Sequence, residues 1–428
     1  MPYPKMFRLH QRFEAPVVND IPGTVRHEIE RLTLHRKVKR GDTVAISAGS
    51  RGVANVRVIT KAIVDTLKQL GARPFIVPAM GSHGGGTAEG QAAVLAHYGI
   101  TEETMGVPVK ASMEVVHVGT TEDGIPVYFD RYAYEADHVV VCNRVKPHTN
   151  FRGEIESGLM KMMMIGLGKH KGAITYHQAI VHHTFDRIVR TVGRMVIAKC
   201  RILFGLATIE NGYDQTAKIV AVEPERFEEV EKELLVLAKR WMPKLPFDDI
   251  DLLIVDEIGK DISGAGLDTN VIGRKSNDHA SAPGEKPRIT RIFVRDLTEH
   301  TEGNAVGIGM ADYTTKRLVE KMDRKKTYIN AVTGNHPTCG SIPIYYDTDR
   351  EALDIALGTI GLIPPEKARI LWIKNTLQVG EVETSEALLK ELDGRDDLEI
   401  IVSPREMAFD EEGNLTPLRF ITENGGAH

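Results

Sequence analysis

The sequence predicts an α/β protein made of two α/β domains with mostly parallel sheets. Short apolar runs rich in β-branched residues alternate with amphipathic helical stretches along the chain. A proline-containing break after a charged helical stretch divides this alternation into two parts. The 428 residues, 42% of them hydrophobic, suffice for two separate cores.

The first half of the chain has a βαβ rhythm. Its apolar runs predict buried strands, and the stretches between them have helical periodicity. The strands are predicted at 43–47, 74–78 and 138–142, and the helices at 53–70, after Thr87, and at 184–197.

The charged helical stretch 223–239 is followed by Pro243 and Pro246, which end the helical pattern. We place the domain boundary here, which gives an N-terminal domain of residues 1–243 and a C-terminal domain of residues 244–428. Strand-like runs restart beyond the boundary, so the second domain is also α/β, and we expect the active site in the cleft between the two. These later strands are predicted at 250–255, 291–294, 368–373 and 399–402.

Composition excludes several classes of protein. A net charge of −5 argues against a nucleic-acid partner, which would require a strongly basic face. The three cysteines, Cys142, Cys200 and Cys339, are isolated and predict neither a disulfide framework nor a thiolate metal site. No apolar run reaches the length of a membrane span, and the first residues lack an apolar signal core, so we expect a cytoplasmic protein without a membrane partner.

Three loops that follow predicted strands carry polar side chains. Ligands of open parallel sheets bind at the carboxyl ends of strands, so these loops are where a site is expected. Arg51 follows the first strand and His148 follows the third. The second strand leads into a glycine-rich loop, residues 79–87, where His83 precedes Gly84 and Gly85 and backbone amides can approach an anion.

Lys161 lies in an unusual setting, within the run Gly158-Leu-Met-Lys-Met-Met-Met-Ile-Gly166. Dehydrating an ammonium group is costly, so an amine among methionines should be neutralised, paired or covalently consumed. We favour the third option. Desolvation by Met160, Met162 and Met163 would keep the amine uncharged and nucleophilic.

Each feature also has a simpler interpretation. A glycine-rich loop is commonly only a turn, and methionines commonly fill irregular gaps in a core. The basic run Gly168–Gly172 is typical of a solvated face, although Lys169 and Lys171 could also contact a phosphate.

The ordered set of motifs resembles the nickel-pincer lactate racemase family. Ser-Arg follows the first strand, Gly-x-His the second and Pro-His the third; Ser-Gly-x-x-Lys comes next, with His177 sixteen positions beyond its lysine. The similarity extends to the second domain, where the segment 264–270 resembles the glycine-rich Asp-x-Asn turn of the family.

The resemblance implies a cofactor and its attachment. In that family a nickel-pincer nucleotide, pyridinium-3,5-bisthiocarboxylic acid mononucleotide, is joined to the lysine as a thioamide, and one protein histidine completes the nickel site. Lys161 would be the attachment point and His177 the metal ligand, within an N-terminal domain that binds the cofactor while the C-terminal domain closes over it. Proteins that synthesise the cofactor would be partners. Arg51, Gly84, Gly85, Lys169 and Lys171 would contact the cofactor.

The resemblance also implies a reaction, the inversion of a 2-hydroxy acid through hydride transfer and a planar 2-keto acid. Two opposed bases are needed, one for each enantiomer, and His83 and His148 would fill these roles because imidazole can act as base and acid near neutral pH. Arg51 would hold the substrate carboxylate, and Asn270 and Arg274 would also contact the substrate.

One departure from the family bears on the substrate. Where lactate racemases have a glutamine and then a lysine after the Asp-x-Asn turn, this chain has Val271-Ile-Gly-Arg-Lys275. Because Arg152 and Arg274 add positive charge, we expect a larger or more polar 2-hydroxy acid than lactate.

Two other functions stay open. One is a divalent-metal-dependent hydrolase or lyase that binds its ion directly through His83, His148 and His177. The other is a non-catalytic nucleotide-binding paralogue that retains the loops without turnover.

Overall fold

A computed structural model describes residues 1–49 and 52–418 of the chain. The chain divides into two units, which are taken separately below. The first is Glu14–Met242, and the second combines Met1–Phe13 with the chain from Pro243 onward. Strands and helices are numbered along the whole chain.

The unit Glu14–Met242 is built on a five-stranded sheet with the order β3-β2-β6-β7-β8, in which only β8 is antiparallel to its neighbour, and β4 and β5 form a separate hairpin. Its strands are β2 (Thr43–Ala48), β3 (Arg73–Pro78), β4 (Val115–Thr120), β5 (Pro126–Asp130), β6 (His138–Arg144), β7 (Ile202–Glu210) and β8 (Thr216–Val222). Its α-helices are α1 (Ile21–Glu30), α2 (Val56–Gln69), α3 (Ala88–His97), α4 (Glu102–Met105), α5 (Arg131–Glu135), α6 (Leu159–Lys161), α7 (Lys169–Ala179), α8 (Phe185–Lys199) and α9 (Phe227–Trp241). A π-helical segment, Met162–Gly166, continues α6.

Both faces of this sheet are buried. Successive side chains of a strand point to opposite faces, and in β6 Val139 and Val141 join one apolar cluster whereas Val140 joins another. Apolar residues of α8 and α9 pack in the first cluster, and those of α1 and α2 pack in the second. Helices on both faces explain why the strands read as continuous apolar runs.

The second unit contains an eight-stranded sheet with the order β12-β11-β10-β9-β13-β14-β1-β15. The five strands from β12 to β13 are parallel to one another, whereas β13 with β14, β14 with β1, and β1 with β15 pair antiparallel. The strands are β1 (Met6–Gln11), β9 (Asp249–Ile258), β10 (Arg288–Leu297), β11 (Tyr313–Thr315), β12 (Ile344–Tyr346), β13 (Ile370–Ile373), β14 (Glu381–Ser385) and β15 (Leu398–Arg405). The helices are α10 (Thr269–Ile272), α11 (Lys316–Lys321), α12 (Arg324–Thr333) and α13 (Asp349–Leu357).

The start of the chain belongs to this second sheet and not to the N-terminal domain in which the sequence boundary placed it. Strand β1 lies between β14 and β15, with Met6 opposite Ser385 and His10 opposite Glu399. An apolar pattern predicts that a strand is buried but not which distant strand it pairs with.

The predicted α/β class with mostly parallel sheets is confirmed, and every predicted strand overlaps an observed one. The strands β1, β4, β5, β7, β8, β11, β12 and β14 were not predicted. Within the described part of the chain, no helix has the length and apolar character needed to cross a membrane.

Candidate active site

The three polar loops follow neighbouring strands of one sheet. β2 lies between β3 and β6 and runs parallel to both, with Val44 opposite Pro74 on one side and His138 on the other. The loops after these strands therefore leave the same edge of the sheet, as the sequence predicted. Arg51, in the first loop, lies outside the described residues.

The glycine-rich loop after β3 carries His83, which is half-buried. Gly84, Gly85 and Gly86 all have positive φ angles between 63° and 69°, a region in which an added side chain is strained. A Cβ atom on Gly84 would lie 2.5 Å from the backbone of Gly90 at the start of α3, so Gly84 permits close packing. A Cβ atom on Gly85 would meet nothing within 4 Å, so Gly85 borders open space where a ligand could approach.

The glycine loop packs directly on the segment that follows Lys161. The Gly81 amide donates to the carbonyl of Gly166, and a Cβ atom on Gly81 would lie 3.0 Å from the side chain of Ile165. A Cβ atom on Gly166 would in turn lie 2.8 Å from the Ala79 carbonyl oxygen. The His83 loop and the Lys161 segment are therefore fixed against each other by glycine contacts.

Lys161 ends α6 and begins the π-helical segment, and it is half-buried although Met160, Met162, Met163 and Met164 are all buried in the core. Short π-helical segments inside helices occur often at functional sites. Met160 and Met163 lie close to Gly193 of α8, so these methionines fill the core between helices. The methionines of this run therefore pack in the core, as in the simpler interpretation, whereas Lys161 stays partly accessible.

Glu231 of α9 holds the start of this segment. Its fully buried carboxylate accepts a hydrogen bond of 3.0 Å from the Met160 amide, while Asn143 donates to the Gly158 carbonyl at 2.8 Å. A Cβ atom on Gly158 would lie 2.5 Å from the Glu231 carboxyl carbon, so only glycine fits there. Burial raises the pKa of Glu231 to about 7, against the lowering effect of its backbone hydrogen bonds. No motif in the sequence pointed to Glu231.

His177 lies in the last turn of α7 and is half-buried. Burial lowers the pKa of His177, and the nearby positive charge of Lys161 lowers it further. Its buried Nδ1 has no hydrogen-bond partner among the residues that the structure describes. A neutral imidazole with an unused nitrogen is what a metal ligand requires, so His177 fits the role of a single protein ligand.

His148 is held by contacts within its own loop and with the start of α8. Its backbone amide donates to Glu156, a buried carboxylate that also pairs with Lys239, and its ring packs against Phe151 and Phe185. The Asn150 amide donates to His148 Nδ1 at 3.0 Å. A backbone amide can only donate, so the neutral ring carries its proton on Nε2 in this arrangement.

The two lysines of the Gly168–Gly172 run differ. The Lys169 side chain is fully buried, donates to the Pro78 carbonyl and forms an ion pair of 3.0 Å with Asp130, so the prediction that it contacts a cofactor phosphate is corrected: its ammonium is engaged within the core. Burial lowers the pKa of Lys169 and raises that of Asp130, while each opposes the shift of the other. Lys171 is exposed, with its ammonium 4.5 Å from the centre of the Tyr128 ring.

The predicted substrate residues of the second unit also differ in accessibility. Asp268 caps α10 and accepts a hydrogen bond from the Asn270 side chain at 3.0 Å, and Lys275 donates to the other end of that amide at 3.1 Å. The Arg274 side chain is fully buried, donates to the Met310 carbonyl and pairs with Asp312 at 2.9 Å. The prediction that Arg274 contacts substrate is therefore corrected, because its guanidinium is occupied inside the domain.

Across residues 1–49 and 52–418, no three histidine, cysteine, aspartate or glutamate side chains are grouped so that they could hold a metal ion. A hydrolase that binds its ion through His83, His148 and His177 would need such a group.

The N-terminal part of the chain is similar in sequence to a known family. Residues 13–188 match the sequence family described as the lactate racemase N-terminal domain. No curated protein sequence matches the chain.

Two solved structures share the fold. The lactate racemase apoprotein from Thermoanaerobacterium thermosaccharolyticum is 13% identical with a TM-score of 0.54, and the match covers 86% of this chain and 94% of that one. A structural-genomics protein from Thermotoga maritima is 14% identical with a TM-score of 0.51, covering 85% and 97%. At these identities the likeness concerns the fold, and it extends over nearly the whole chain.

Proposed function

Because this chain belongs to the lactate-racemase-like family, we propose that it is a nickel-dependent racemase or epimerase of a 2-hydroxy acid. Lys161 is the attachment point of a nickel-pincer nucleotide, and His177 is the protein ligand of the nickel. The observation that carries this proposal is the unpartnered, buried Nδ1 of a half-buried His177 whose pKa is lowered by burial and by the charge of Lys161.

Lys161, His177 and the glycine loop fit a nickel-pincer nucleotide. His177 would supply the protein ligand to the nickel, since its buried Nδ1 has no hydrogen-bond partner among the described residues. Lys161 is partly accessible and begins a π-helical segment against which the glycine loop packs. When bound, the nickel-pincer nucleotide supplies a reversible acceptor for hydride.

The chain itself handles the protons of the reaction. In one direction His83 takes the hydroxyl proton of the substrate and protonated His148 donates a proton to the oxygen of the product, and in the other direction the two roles are exchanged. The Asn150 amide keeps the proton of neutral His148 on Nε2. For Nε2 of His148 to accept a proton, that amide must move away from Nδ1.

The substrate that we propose is a 2-hydroxy acid larger or more polar than lactate. Arg274 no longer supports this, since its charge is paired within the core. The remaining support is the exposed Arg152 in the loop that carries His148, together with Gly273 at the place of the glutamine of the lactate enzymes. Chiral chromatography of a panel of hydroxy acids tests this, and lactate as the best substrate would contradict it.

Intact-mass measurement is the main experiment. Protein produced together with the cofactor-synthesis proteins should exceed its sequence mass by one nucleotide adduct, should contain nickel and should racemise a 2-hydroxy acid. Lys161→Ala should lose the adduct and the activity, while the control Lys218→Ala, at an exposed lysine of β8, should keep both. A hydrolase would show no adduct, and a non-catalytic paralogue would show no racemisation.

Replacement of His83 tests its role as a base. General acid–base catalysis contributes about 10²–10⁴-fold, so His83→Asn should lower turnover per adduct by about that factor. The adduct on Lys161 should form normally, because His83 belongs to a different loop. Full racemisation by the loaded variant in both directions would exclude His83 as a base.

A further inference from the structure

Three buried polar side chains lie beneath the glycine loop and have no role in the proposed reaction. Asp130 ends β5, Lys169 begins α7 and Gln91 lies in the second turn of α3, and none of the three is exposed to solvent. Lys169 contacts the other two, with its ammonium 3.0 Å from the Asp130 carboxylate and 3.4 Å from Gln91 Oε1. A chain of contacts thus links three elements of the unit.

The donors and acceptors fix the orientation of the Gln91 amide. An ammonium group only donates and a backbone carbonyl only accepts, so Oε1 must face Lys169 and Nε2 must face the carbonyls. Gln91 Nε2 donates to the carbonyl of Gly81 at 2.9 Å and to that of His83 at 3.4 Å. Lys169 also donates to the carbonyl of Pro78, the last residue of β3. The contacts therefore reach the backbone at the end of β3 and at two positions of the glycine loop, Gly81 and His83.

Stability alone is a weak reason for such an arrangement. Burying an ion pair commonly costs as much desolvation as it returns in attraction. Lys169 also has a φ of +56°, a conformation that a residue with a side chain adopts rarely and only where its surroundings impose it. Lys169 has no solvent contact and an unfavourable backbone conformation. Its contacts fix the start of α7 to the end of β3 and, through Gln91, to the glycine loop.

We propose that Asp130, Lys169 and Gln91 form a buried strut that positions His83 for proton transfer, with Gln91 as a positioning residue that acts through the loop backbone. The inference rests on the proposed function, in which His83 is a base and His177, on the same helix as Lys169, is the metal ligand. The strut fixes the loop that carries the base to the helix that carries the ligand.

Gln91→Met tests the proposal. Methionine is similar in length and apolar, so the variant removes the donor to the two loop carbonyls while Lys169 keeps Asp130 and Pro78. The matched control is Gln69→Met, at an exposed glutamine of α2. Hydrogen exchange of the peptide spanning residues 79–92 is measured in the apoprotein. Adduct mass, nickel content, kcat per adduct and KM are measured in protein made with the cofactor-synthesis machinery.

We expect faster exchange in that peptide, an unchanged adduct and nickel content, and a kcat per adduct lowered by about 10- to 100-fold with little change in KM, since small misplacement of a catalytic group has effects of this size. Gln69→Met should match the wild type in each measurement. Unchanged exchange, or faster exchange with unchanged kcat, overturns the proposal.

A second variant guards against misfolding. Gln91→Glu keeps the size and the acceptor for Lys169 but places a carboxylate oxygen against two carbonyls, so the same losses are expected. If this variant folds and turns over at the wild-type rate, the strut does not position His83. Wild-type protein without any adduct would instead contradict the proposed function, and the exchange measurement would still show whether Gln91 holds the loop.

Discussion

Lys161 and Lys169 lie eight positions apart in one stretch of chain, yet their surroundings are opposite. Lys169 is fully buried and its ammonium is paired with Asp130 and with a backbone carbonyl. Lys161 is partly accessible, and its charge acts on a histidine whose pKa is lowered by burial. A methionine-rich setting is therefore not what buries a lysine in this protein.

The difference shows how a fold separates structural from chemical amines. A buried ammonium requires a carboxylate, and once it has one it is no longer a nucleophile. An amine destined for covalent attachment must stay reachable and be deprotonated at reasonable cost, which a neighbouring neutral imidazole permits and a carboxylate would oppose. The proposed roles of the two lysines follow from their difference in burial.

The two lysines should differ most in their contribution to the free energy of unfolding. Lys169→Ala leaves the Asp130 carboxylate buried without its partner and should lower the free energy of unfolding by about 3–5 kcal/mol. The Lys161 side chain is only half-buried, so Lys161→Ala should lower the free energy of unfolding by less than Lys169→Ala does. Urea denaturation of the two apoproteins makes the comparison.

A double variant controls for the charge. In Lys169→Met with Asp130→Asn no buried charge remains, so a large part of the lost stability should return. If Lys161→Ala costs as much as Lys169→Ala, the distinction between the two amines is wrong.

The contribution of Glu231, which holds the start of the Lys161 segment, to the free energy of unfolding should depend on pH. The folded-state pKa of Glu231 is about 7, above the reference value of 4.5, so between these values the folded protein binds a proton that the unfolded chain has released. Stability contributed by this group is present at acidic pH and is lost as the pH rises through 7. Relative to Glu231→Gln, the wild type should lose about 2–3 kcal/mol between pH 5 and pH 8.

Denaturation curves of both proteins across that range provide the measurement. A constant difference between them at all pH values would mean that Glu231 is ionised throughout in the folded protein. In either case the Met160 amide keeps an acceptor, because the glutamine side chain retains a carbonyl oxygen.

Much of the fold was predictable because it depends on local patterns. Apolar runs marked β2, β3 and β6, and the rule that parallel strands present ligand loops at one edge brought the loops of His83 and His148 together. The confirmed family resemblance depends on spacing between motifs, which the sequence states directly. The pairing of β1 with β14 and β15 depends on residues more than 370 positions away and left no local signal.

The errors concern charged residues. Lys169 and Arg274 were expected to contact ligands, and both are buried with aspartate partners, Asp130 and Asp312, that lie 39 and 38 positions away. A single charged residue in a turn carries no periodicity, so its burial follows only from the tertiary structure. Gln91 and Glu231 were missed because each contacts backbone groups that only the fold brings near.

Replacement of Lys171, a third lysine of the same stretch, should have the smallest effect on the free energy of unfolding and is the closest control for Lys169. Lys171 is exposed and its only described contact of note is with the face of the Tyr128 ring at 4.5 Å. Exposed cation–π contacts contribute about 0.5–1 kcal/mol, so Lys171→Ala should lower the free energy of unfolding by no more than that. Urea denaturation alongside Lys169→Ala compares two lysines of one helix that differ in burial. A loss from Lys171→Ala as large as that from Lys169→Ala would mean that burial of the ion pair is not what makes Lys169 structural.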